Sequence, residues 1–214
     1  MSGSIAMQDW PYLAKYQEEN ANLPLPKPDE NRVVFLGDSI TEFWSKEQPL
    51  FFQNKSYINR GISGQTTPQM LLRFRADVIA LNPKIVVILA GGNDIAGNTG
   101  FSTIEMITNN IFSMIELASV HHIKVILCSV LPAIFFYWNP KEKPADLIIE
   151  LNTILKNYAF SKNIPFVDYY SAMVDEQKGL KTIFSEDRVH PNTAGYEIMS
   201  PLIEKAIQST LNNL

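Results

Sequence analysis

The sequence has little cysteine, no excess of positive charge and no long apolar run, and each shortage excludes a class of structure or partner. Cys128 is the one cysteine among 214 residues, so the chain cannot form an internal disulfide. Because Cys128 lies inside the apolar run 125–130, we expect a buried free thiol rather than a reactive one. Cysteine content therefore does not distinguish a reducing from an oxidising compartment.

The charge balance argues against nucleic acid as a partner. The chain has 18 Lys and Arg against 22 Asp and Glu, which gives a formal net charge of −4. Sequence-independent binding of nucleic acid needs a basic surface, so we expect no nucleic-acid partner. Hydrophobic residues make up 46% of the chain and charged residues 19%, which is typical of a folded soluble domain.

The apolar runs are all too short to span a bilayer, so we expect no membrane span. Residues 1–7 have neither the basic start nor the apolar stretch of a secretory signal peptide. Such a start suits a cytoplasmic protein. It equally suits a secreted or periplasmic protein after removal of a signal peptide, and the sequence does not decide between them.

Prolines set the first part of the chain apart. Residues 9–22 have the apolar spacing of a short amphipathic helix. Pro24, Pro26 and Pro28 then impose an extended segment, because each fixes its own φ and disfavours helix at the residue before it. We therefore expect residues 1–31 to form an N-terminal helix and a proline-rich segment that pack on a core domain formed by residues 32–214.

The rest of the chain alternates between two patterns. Short apolar runs rich in β-branched residues predict buried strands at 33–36, 57–59, 85–90, 125–130 and 164–168. Helical spacing predicts helices at roughly 68–81, 103–121, 146–162 and 193–211. This alternation predicts an α/β fold with three layers, doubly wound around a mainly five-stranded parallel sheet, flavodoxin-like in outline.

Polar residues follow the predicted strands where each strand ends. Ser39 follows the first strand, Gly64 the second and Asn93 the third, while Asp187 and His190 precede the last helix. Ligands of doubly wound sheets bind beyond the carboxyl ends of the strands. We therefore expect these residues, although far apart in sequence, to converge at one edge of the sheet.

The spacing of Asp187 and His190 suits a catalytic relay. An Asp three residues before a His can reach the imidazole within one turn of backbone. A Ser beside that His would complete an arrangement of nucleophile, base and orienting acid. Taken alone, the pair could also be a capping arrangement or half of a metal site, and Ser39 could be a helix cap.

The polar residues belong to four blocks in a fixed order: Gly37-Asp38-Ser39, Gly64, Gly92-Asn93-Asp94 and Asp187-Arg188-Val189-His190. From about residue 33 to the C-terminus, the chain resembles the SGNH (GDSL) hydrolase family. The resemblance implies an α/β/α hydrolase fold and ester hydrolysis by Ser39, His190 and Asp187. It also implies an oxyanion hole made by Ser39, Gly64 and the side chain of Asn93.

Two other motifs do not fit a catalytic or metal-binding role. Ser63 follows Gly61 at the spacing of a nucleophile elbow, but Gln65 stands where that motif needs a second glycine.

His121 and His122 end a predicted helix, where cations are favoured, and no third ligand lies at metal spacing. The loop after the first strand has neither a glycine-rich dinucleotide motif nor a P-loop lysine. We therefore expect no metal and no cofactor.

Aromatic residues near these blocks could form a wall that contacts the substrate, or could belong to a satellite core or a subunit contact. Four of them lie in the irregular segment 132–140 after the fourth strand, and two lie just after Ser39. The candidates are Phe43, Trp44, Phe135, Phe136, Tyr137 and Trp138. The sequence gives no indication of the oligomeric state.

We expect a serine esterase that cleaves short acyl groups, acetyl above all, through an acyl-enzyme. No insertion is long enough for a lid domain, and a polar alcohol such as an acetylated carbohydrate suits the aromatic loop. A lipase, a lysophospholipase or a thioesterase would use the same fold. Alternatives from other classes are a nucleotide- or flavin-binding module and a catalytically silent carbohydrate- or lipid-binding protein.

Overall fold

A five-stranded parallel sheet forms the centre of the structure, a computed structural model that describes residues 9–53 and 55–214. The strands are β1 (Val33–Gly37), β2 (Tyr57–Gly61), β3 (Ile85–Leu89), β4 (Lys124–Cys128) and β5 (Phe166–Val167). They lie in the order β2-β1-β3-β4-β5, the flavodoxin-like doubly wound order. The winding reverses between β1 and β3, which pair with Val33 beside Ile85, and a crevice opens beyond their carboxyl ends.

Helices connect the strands and cover both faces of the sheet. In the described part of the chain they are α1 (Gln17–Asn22), α2 (Ser39–Glu47), α3 (Pro49–Phe52), α4 (Thr67–Asp77), α5 (Gly92–Ile95), α6 (Ile104–Val120), α7 (Ala145–Ser161), α8 (Tyr169–Met173) and α9 (Thr193–Leu211). Single 3₁₀ turns lie at Ile79–Leu81 and Thr182–Phe184.

The alternation of side chains along β1 explains why the sheet has a separate core on each face. Val34 and Leu36 point into the core that contains residues of α4, α6 and α7. Val33 and Phe35 point into the core that contains residues of α2 and α9. All of β1 is buried, which is why its sequence is an unbroken apolar run. The predicted three-layer α/β fold is confirmed.

Cys128 ends β4 in one of these cores. Its thiol is buried and forms no disulfide, and burial raises its pKa to about 12. The expectation of a buried free thiol is therefore confirmed. No helix among residues 9–53 and 55–214 is long and apolar enough to cross a membrane. Residues 1–7, on which the expectation about a signal peptide rests, lie outside the described residues.

The N-terminal segment differs from the predicted helix. The predicted helix 9–22 was wrong for its first half, because α1 begins only at Gln17 and residues 9–16 form turns. Tyr12 has a φ of 59°, in the left-handed region that a helix cannot contain. The carboxylate of Asp9 accepts the backbone N–H groups of Leu13 at 2.9 Å and Ala14 at 2.8 Å, which stabilises the turn.

Hydrogen bonds attach this segment to the region that follows β2. Gln69 Nε2 donates to the carbonyl of Trp10 at 2.8 Å, and Gln65 Nε2 donates to the carbonyl of Pro11 at 2.9 Å. The hydroxyl of Tyr16 donates to the carbonyl of Gly61. These bonds place residues 10–12 beside the carboxyl end of the sheet. The boundary between residues 31 and 32 stays a prediction.

Candidate active site

Ser39 is placed by the turn that joins β1 to α2. Asp38 caps α2 by accepting the backbone N–H of Ile40 at 3.0 Å, and Ser39 is the first helical residue. A Cβ at Gly37 would lie only 2.0 Å from Oγ1 of Thr41, so glycine is required for the helix to start this close to the strand. Ser39 therefore lies beside the crevice where the winding of the sheet reverses.

A chain of hydrogen bonds joins Ser39 to His190 and Asp187. Ser39 Oγ lies 2.9 Å from Nε2 of His190, and Nδ1 of His190 lies 2.6 Å from Oδ2 of Asp187. Because the carboxylate accepts the proton on Nδ1, Nε2 is left as an acceptor for the hydroxyl of Ser39. The structure thus brings together the three residues predicted as nucleophile, base and orienting acid.

A tight turn positions Asp187 under His190. Its Oδ1 accepts the backbone N–H groups of Val189 at 2.9 Å and of His190 at 2.7 Å, and Arg188, the residue after Asp187, has a φ of 66°. Partial burial raises the pKa of Asp187, but hydrogen bonds from the ring and backbone of His190 outweigh burial. The pKa therefore lies below its ordinary value, and the carboxylate can stabilise an imidazolium.

Asn93 is held by three hydrogen bonds in α5, directly after β3. Its Nδ2 donates to the carbonyl of Gln65 at 3.1 Å and to Oδ2 of Asp38 at 3.3 Å. Its Oδ1 accepts from Nδ2 of Asn98 at 3.0 Å. Asn93 is buried and lines the same pocket as Ser39. Its amide is thus fixed in place beside the predicted nucleophile.

Two buried aspartates brace the turns around the site. Burial raises the pKa of Asp38 to about 6, opposed by the N–H of Ile40 and the nearby charge of His190. Asp94 accepts the backbone N–H of Thr67 at 3.0 Å and also its hydroxyl, and burial raises the pKa of Asp94. Asp38 therefore fixes the start of α2, and Asp94 fixes the start of α4.

Asn98 links three of the predicted site residues, and sequence reasoning missed it. Its Nδ2 donates to the carbonyl of Gly64 at 3.1 Å and to Oδ1 of Asn93, while its Oδ1 accepts from Nε1 of Trp138 at 2.8 Å. Gly64 has a φ of 76°, which glycine tolerates well. In sequence, Asn98 between Gly97 and Gly100 is indistinguishable from an ordinary turn residue.

Two spaces of very different size meet at this network. The first, here called the small pocket, has a volume of about 30 Å³ and is lined by Ser39, Asn93, Val130, Phe136, Trp138 and His190, among others. The second, here called the outer cleft, has a volume of about 620 Å³ and is lined by Asp9, Trp10, Tyr12, Gly64, Asn98 and Trp138, among others. Trp138 lines both and so lies between them.

Three of the six candidate wall residues surround His190. The ring centroids of Phe43, Tyr137 and Trp138 lie 5.5, 6.4 and 6.2 Å from that of its imidazole. Phe136 is buried and lines the small pocket. The irregular aromatic segment therefore does border the site, as its position after β4 predicted.

The other two candidates lie elsewhere. Trp44 as a wall residue was wrong, because its side chain is 1% exposed and its ring stacks on Phe51 at 5.1 Å between centroids. It packs in the core between α2 and α9, and its Nε1 donates to the hydroxyl of Ser200. Phe135 is partly exposed and lines neither the small pocket nor the outer cleft.

Ser63 lies outside the relay. Its hydroxyl and its backbone N–H both donate to the carboxylate of Glu42, and the residue lines the outer cleft. His121 is the C-cap of α6, far from this network in the chain. Among residues 9–53 and 55–214, no group of three or more His, Cys, Asp or Glu side chains is placed to hold a metal ion.

Comparisons with known proteins give one family and several similar proteins. A model of the GDSL-like lipase/acylhydrolase family matches residues 35–198. The crystal structure of a Bacteroides fragilis protein assigned as an acylhydrolase is 51% identical, with a TM-score of 0.94 over 95% of this chain and 99% of that one. An acetylxylan esterase from Geobacillus stearothermophilus is 27% identical over 67% of this chain and 68% of its own. An uncharacterised lipoprotein from Bacillus subtilis is 29% identical, and the chain spans 60% of its length.

Proposed function

The chain belongs to the GDSL-like lipase/acylhydrolase family and is a carboxylic ester hydrolase, and from that premise we propose that it removes acetyl groups from a polar alcohol such as a carbohydrate. The observation that carries the acetyl preference is the volume of the small pocket beside Ser39. The relay of Ser39, His190 and Asp187 supports a mechanism through an acyl-enzyme.

In this mechanism Ser39 Oγ attacks the carbonyl carbon of the ester while its proton passes to Nε2 of His190. The tetrahedral intermediate then collapses, and the alcohol leaves with the proton that His190 returns to it. Water attacks the acetyl group on Ser39 and gives its proton to His190, which passes it back to Ser39 as acetate leaves. Asp187 stays ionised throughout and stabilises the imidazolium.

The negative oxygen of the intermediate would be stabilised by the backbone N–H groups of Ser39 and Gly64 and by Nδ2 of Asn93. Nδ2 already donates to Gln65 and to Asp38, so it must exchange one of these partners for the oxyanion. The bond to Asp38, at 3.3 Å, is the longer and hence the weaker one. Buried Asn93 would therefore change partners without leaving its place.

The small pocket favours a very short acyl group. Its volume of about 30 Å³ is far below that of an ordinary ligand site, which suits a group as small as the methyl of an acetyl group. A longer chain would have to displace Phe136, whose ring is buried in a packed core. The similarity to an acetylxylan esterase supports a carbohydrate ester as the substrate class.

A series of p-nitrophenyl esters from acetyl to palmitoyl tests this proposal, because only the acyl group changes along the series. We expect kcat/KM to be highest for acetyl and to fall by about tenfold or more from acetyl to octanoyl. A kcat/KM that rises steadily beyond octanoyl would replace the proposal with a lipase or lysophospholipase.

A further inference from the structure

We propose that the outer cleft binds the alcohol part of the substrate, that this alcohol is an oligosaccharide, and that Trp10 and Tyr12 of the N-terminal segment form one of its walls. The inference rests on the proposed function for the chemistry at Ser39. It adds the place where the leaving group binds and a role for a segment that lies outside residues 35–198, the part matched by the family.

The position of the outer cleft suits the leaving group. The cleft reaches Gly64 and Asn98, the second of which bonds Asn93, and it shares Trp138 with the small pocket. An ester whose acyl methyl fills the small pocket must direct its alcohol away from that pocket. The adjoining space with room for a large group is the outer cleft, at about 620 Å³, within the usual range of about 300–1,000 Å³ for ligand sites.

The chemistry of the outer cleft favours a saccharide over a lipid. Trp10, Tyr12 and Trp138 line it and keep 40%, 53% and 38% of their surface exposed. Aromatic rings with polar edges can pack against the C–H faces of sugar rings and hydrogen-bond their hydroxyls. Polar groups for those hydroxyls also line the cleft, namely Asp9, Thr99 and Asn139. A lipid chain has no hydroxyls to offer to these polar groups.

The wall formed by the N-terminal segment is held in place before a ligand arrives. The carbonyls of Trp10 and Pro11 accept hydrogen bonds from Gln69 and Gln65, which lie at the start of α4 and in the loop before it. Asp9 fixes the turn by capping two backbone N–H groups. A wall that is already ordered loses little conformational entropy on binding, so its aromatic contacts can contribute to affinity.

Kinetics on two substrates separate this wall from the catalytic machinery. We would compare Trp10→Ala and Tyr12→Ala with Leu13→Ala, an exposed neighbour that does not line the cleft. The substrates are p-nitrophenyl acetate, which has no sugar, and acetylated xylo-oligosaccharides. We expect Trp10→Ala to raise the KM for the oligosaccharide about tenfold and to change kcat/KM for p-nitrophenyl acetate much less, because one p-nitrophenyl ring fills only a small part of the cleft. Leu13→Ala should change neither.

Intrinsic tryptophan fluorescence gives a second, independent reading. Trp10 and Trp138 line the outer cleft, whereas Trp44 is buried and provides a constant background. Xylo-oligosaccharides without acetyl groups should change the fluorescence of the wild-type protein in a saturable way. The change should weaken about tenfold in apparent affinity in Trp10→Ala and persist in Leu13→Ala.

Either of two results would overturn the inference: equal effects of Trp10→Ala on both substrates, or saccharide binding that survives Trp10→Ala unchanged. The absence of any saccharide binding by the wild-type protein would also overturn it, even if acetyl esters are cleaved well. Conversely, saccharide binding with a preference for long acyl chains would overturn the proposed acetyl specificity and leave the outer cleft as the leaving-group site.

Discussion

The small pocket and the outer cleft meet at Trp138 but are built in different ways. The starts of α2 and α5 and the irregular segment after β4 form much of the small pocket, which is closed by buried Phe136 and holds about 30 Å³. Loops and the N-terminal segment form the outer cleft, which holds about 620 Å³ and exposes several aromatic rings. On our proposal, the enclosed small pocket limits the acyl group, whereas the more exposed outer cleft selects the alcohol.

This difference has a physical basis. A pocket enclosed by packed core side chains cannot widen without leaving cavities or strain elsewhere. A cleft bounded by loops can change its lining without altering the core, because loops tolerate substitution and insertion. Variants at the two regions should therefore differ in what they change. The small pocket should govern kcat and acyl length, and the outer cleft should govern the KM for large alcohols.

The largest effect is expected from removal of the predicted nucleophile, which should abolish ester hydrolysis whatever the acyl group or the alcohol. Ser39→Ala should lower kcat about 10⁴-fold or more on every ester, because Oγ forms the acyl-enzyme. Ser63→Ala is the matched control, since Ser63 lines the outer cleft and bonds Glu42. A serine-directed phosphonate should label Ser39, and labelling of Ser63 in its place would contradict the assignment.

The next largest effect, on kcat, is expected from removal of a side chain that binds mainly the transition state. Asn93→Ala should lower kcat about 10²–10³-fold with little change in KM, since an oxyanion donor acts mainly on charge present in the transition state. On acetylated oligosaccharides the outer-cleft variants should show the opposite split, a raised KM with kcat preserved. For Asn93→Ala, kinetics on p-nitrophenyl acetate give both parameters. A weakened KM with unchanged kcat would make Asn93 a residue that positions the substrate.

The fold and the arrangement of the relay were predictable because both follow from local patterns. Apolar runs predicted all five strands, and parallel strands of a doubly wound sheet end at one edge. Ser39 and Asn93 follow β1 and β3, the two strands at the reversal of the winding, so topology alone brings them together. Asp187 and His190 are three residues apart, so a single backbone turn brings their side chains together. The catalytic roles of these residues stay predictions.

The parts that were not predictable depend on contacts between distant segments. Trp44 lies near Ser39 in sequence, but the direction of α2 turns its ring into the core beside Phe51. Residues 9–16 have a helical pattern, yet the left-handed φ of Tyr12 and the bonds to Gln65 and Gln69 favour turns. Such bonds leave no trace in local periodicity, which is the signal that sequence reasoning uses.

The third effect is a pH dependence of the unfolding free energy that comes from Asp38, which lines the small pocket. The pKa of Asp38 is about 6 in the folded protein against an ordinary 3.8, because burial disfavours the ionised form. Between these values the folded state holds a proton that the unfolded state has lost. The contribution of Asp38 to stability is therefore complete below about pH 4 and is lost as pH rises through about 6, an effect of roughly 3 kcal/mol at most.

Asp38→Asn should remove this pH dependence. Urea denaturation of variant and wild type at about pH 4 and about pH 7.5 measures the change in unfolding free energy at each pH. We expect the variant to gain stability relative to wild type on going to the higher pH, by about 2 kcal/mol. Because both proteins are measured at both pH values, any effect of the substitution that does not depend on pH cancels. An identical difference at both pH values would refute the raised pKa.

A smaller effect is expected from a substitution that widens the small pocket. Phe136→Leu removes part of the buried ring that closes it, so kcat/KM for the butyryl ester should rise relative to the acetyl ester by about tenfold. The neighbour Phe135 lines neither space, and Phe135→Leu serves as the matched control with an unchanged ratio. The same p-nitrophenyl series reports both variants. An unchanged ratio in Phe136→Leu would mean that the acyl group binds elsewhere.

The smallest effect is expected at Asn98, which lines the outer cleft and donates a hydrogen bond to Asn93 of the small pocket. Asn98→Asp keeps the acceptor for Nε1 of Trp138 but replaces the donor to Gly64 and Asn93 with an oxygen that faces two other oxygens. The oxyanion donors would then be held less well, so kcat should fall about fivefold to tenfold on p-nitrophenyl acetate and on acetylated oligosaccharides alike.

Trp138→Phe provides the complementary change at the same hydrogen bond. It removes the indole N–H and keeps an aromatic ring, so the donors from Asn98 to Gly64 and Asn93 remain. We expect a raised KM for acetylated oligosaccharides and a nearly unchanged kcat on p-nitrophenyl acetate. If Asn98→Asp altered only the KM for the oligosaccharide, Asn98 would belong to the outer cleft alone. The oxyanion hole would then be ordered by the core without help from the loop that recognises the alcohol.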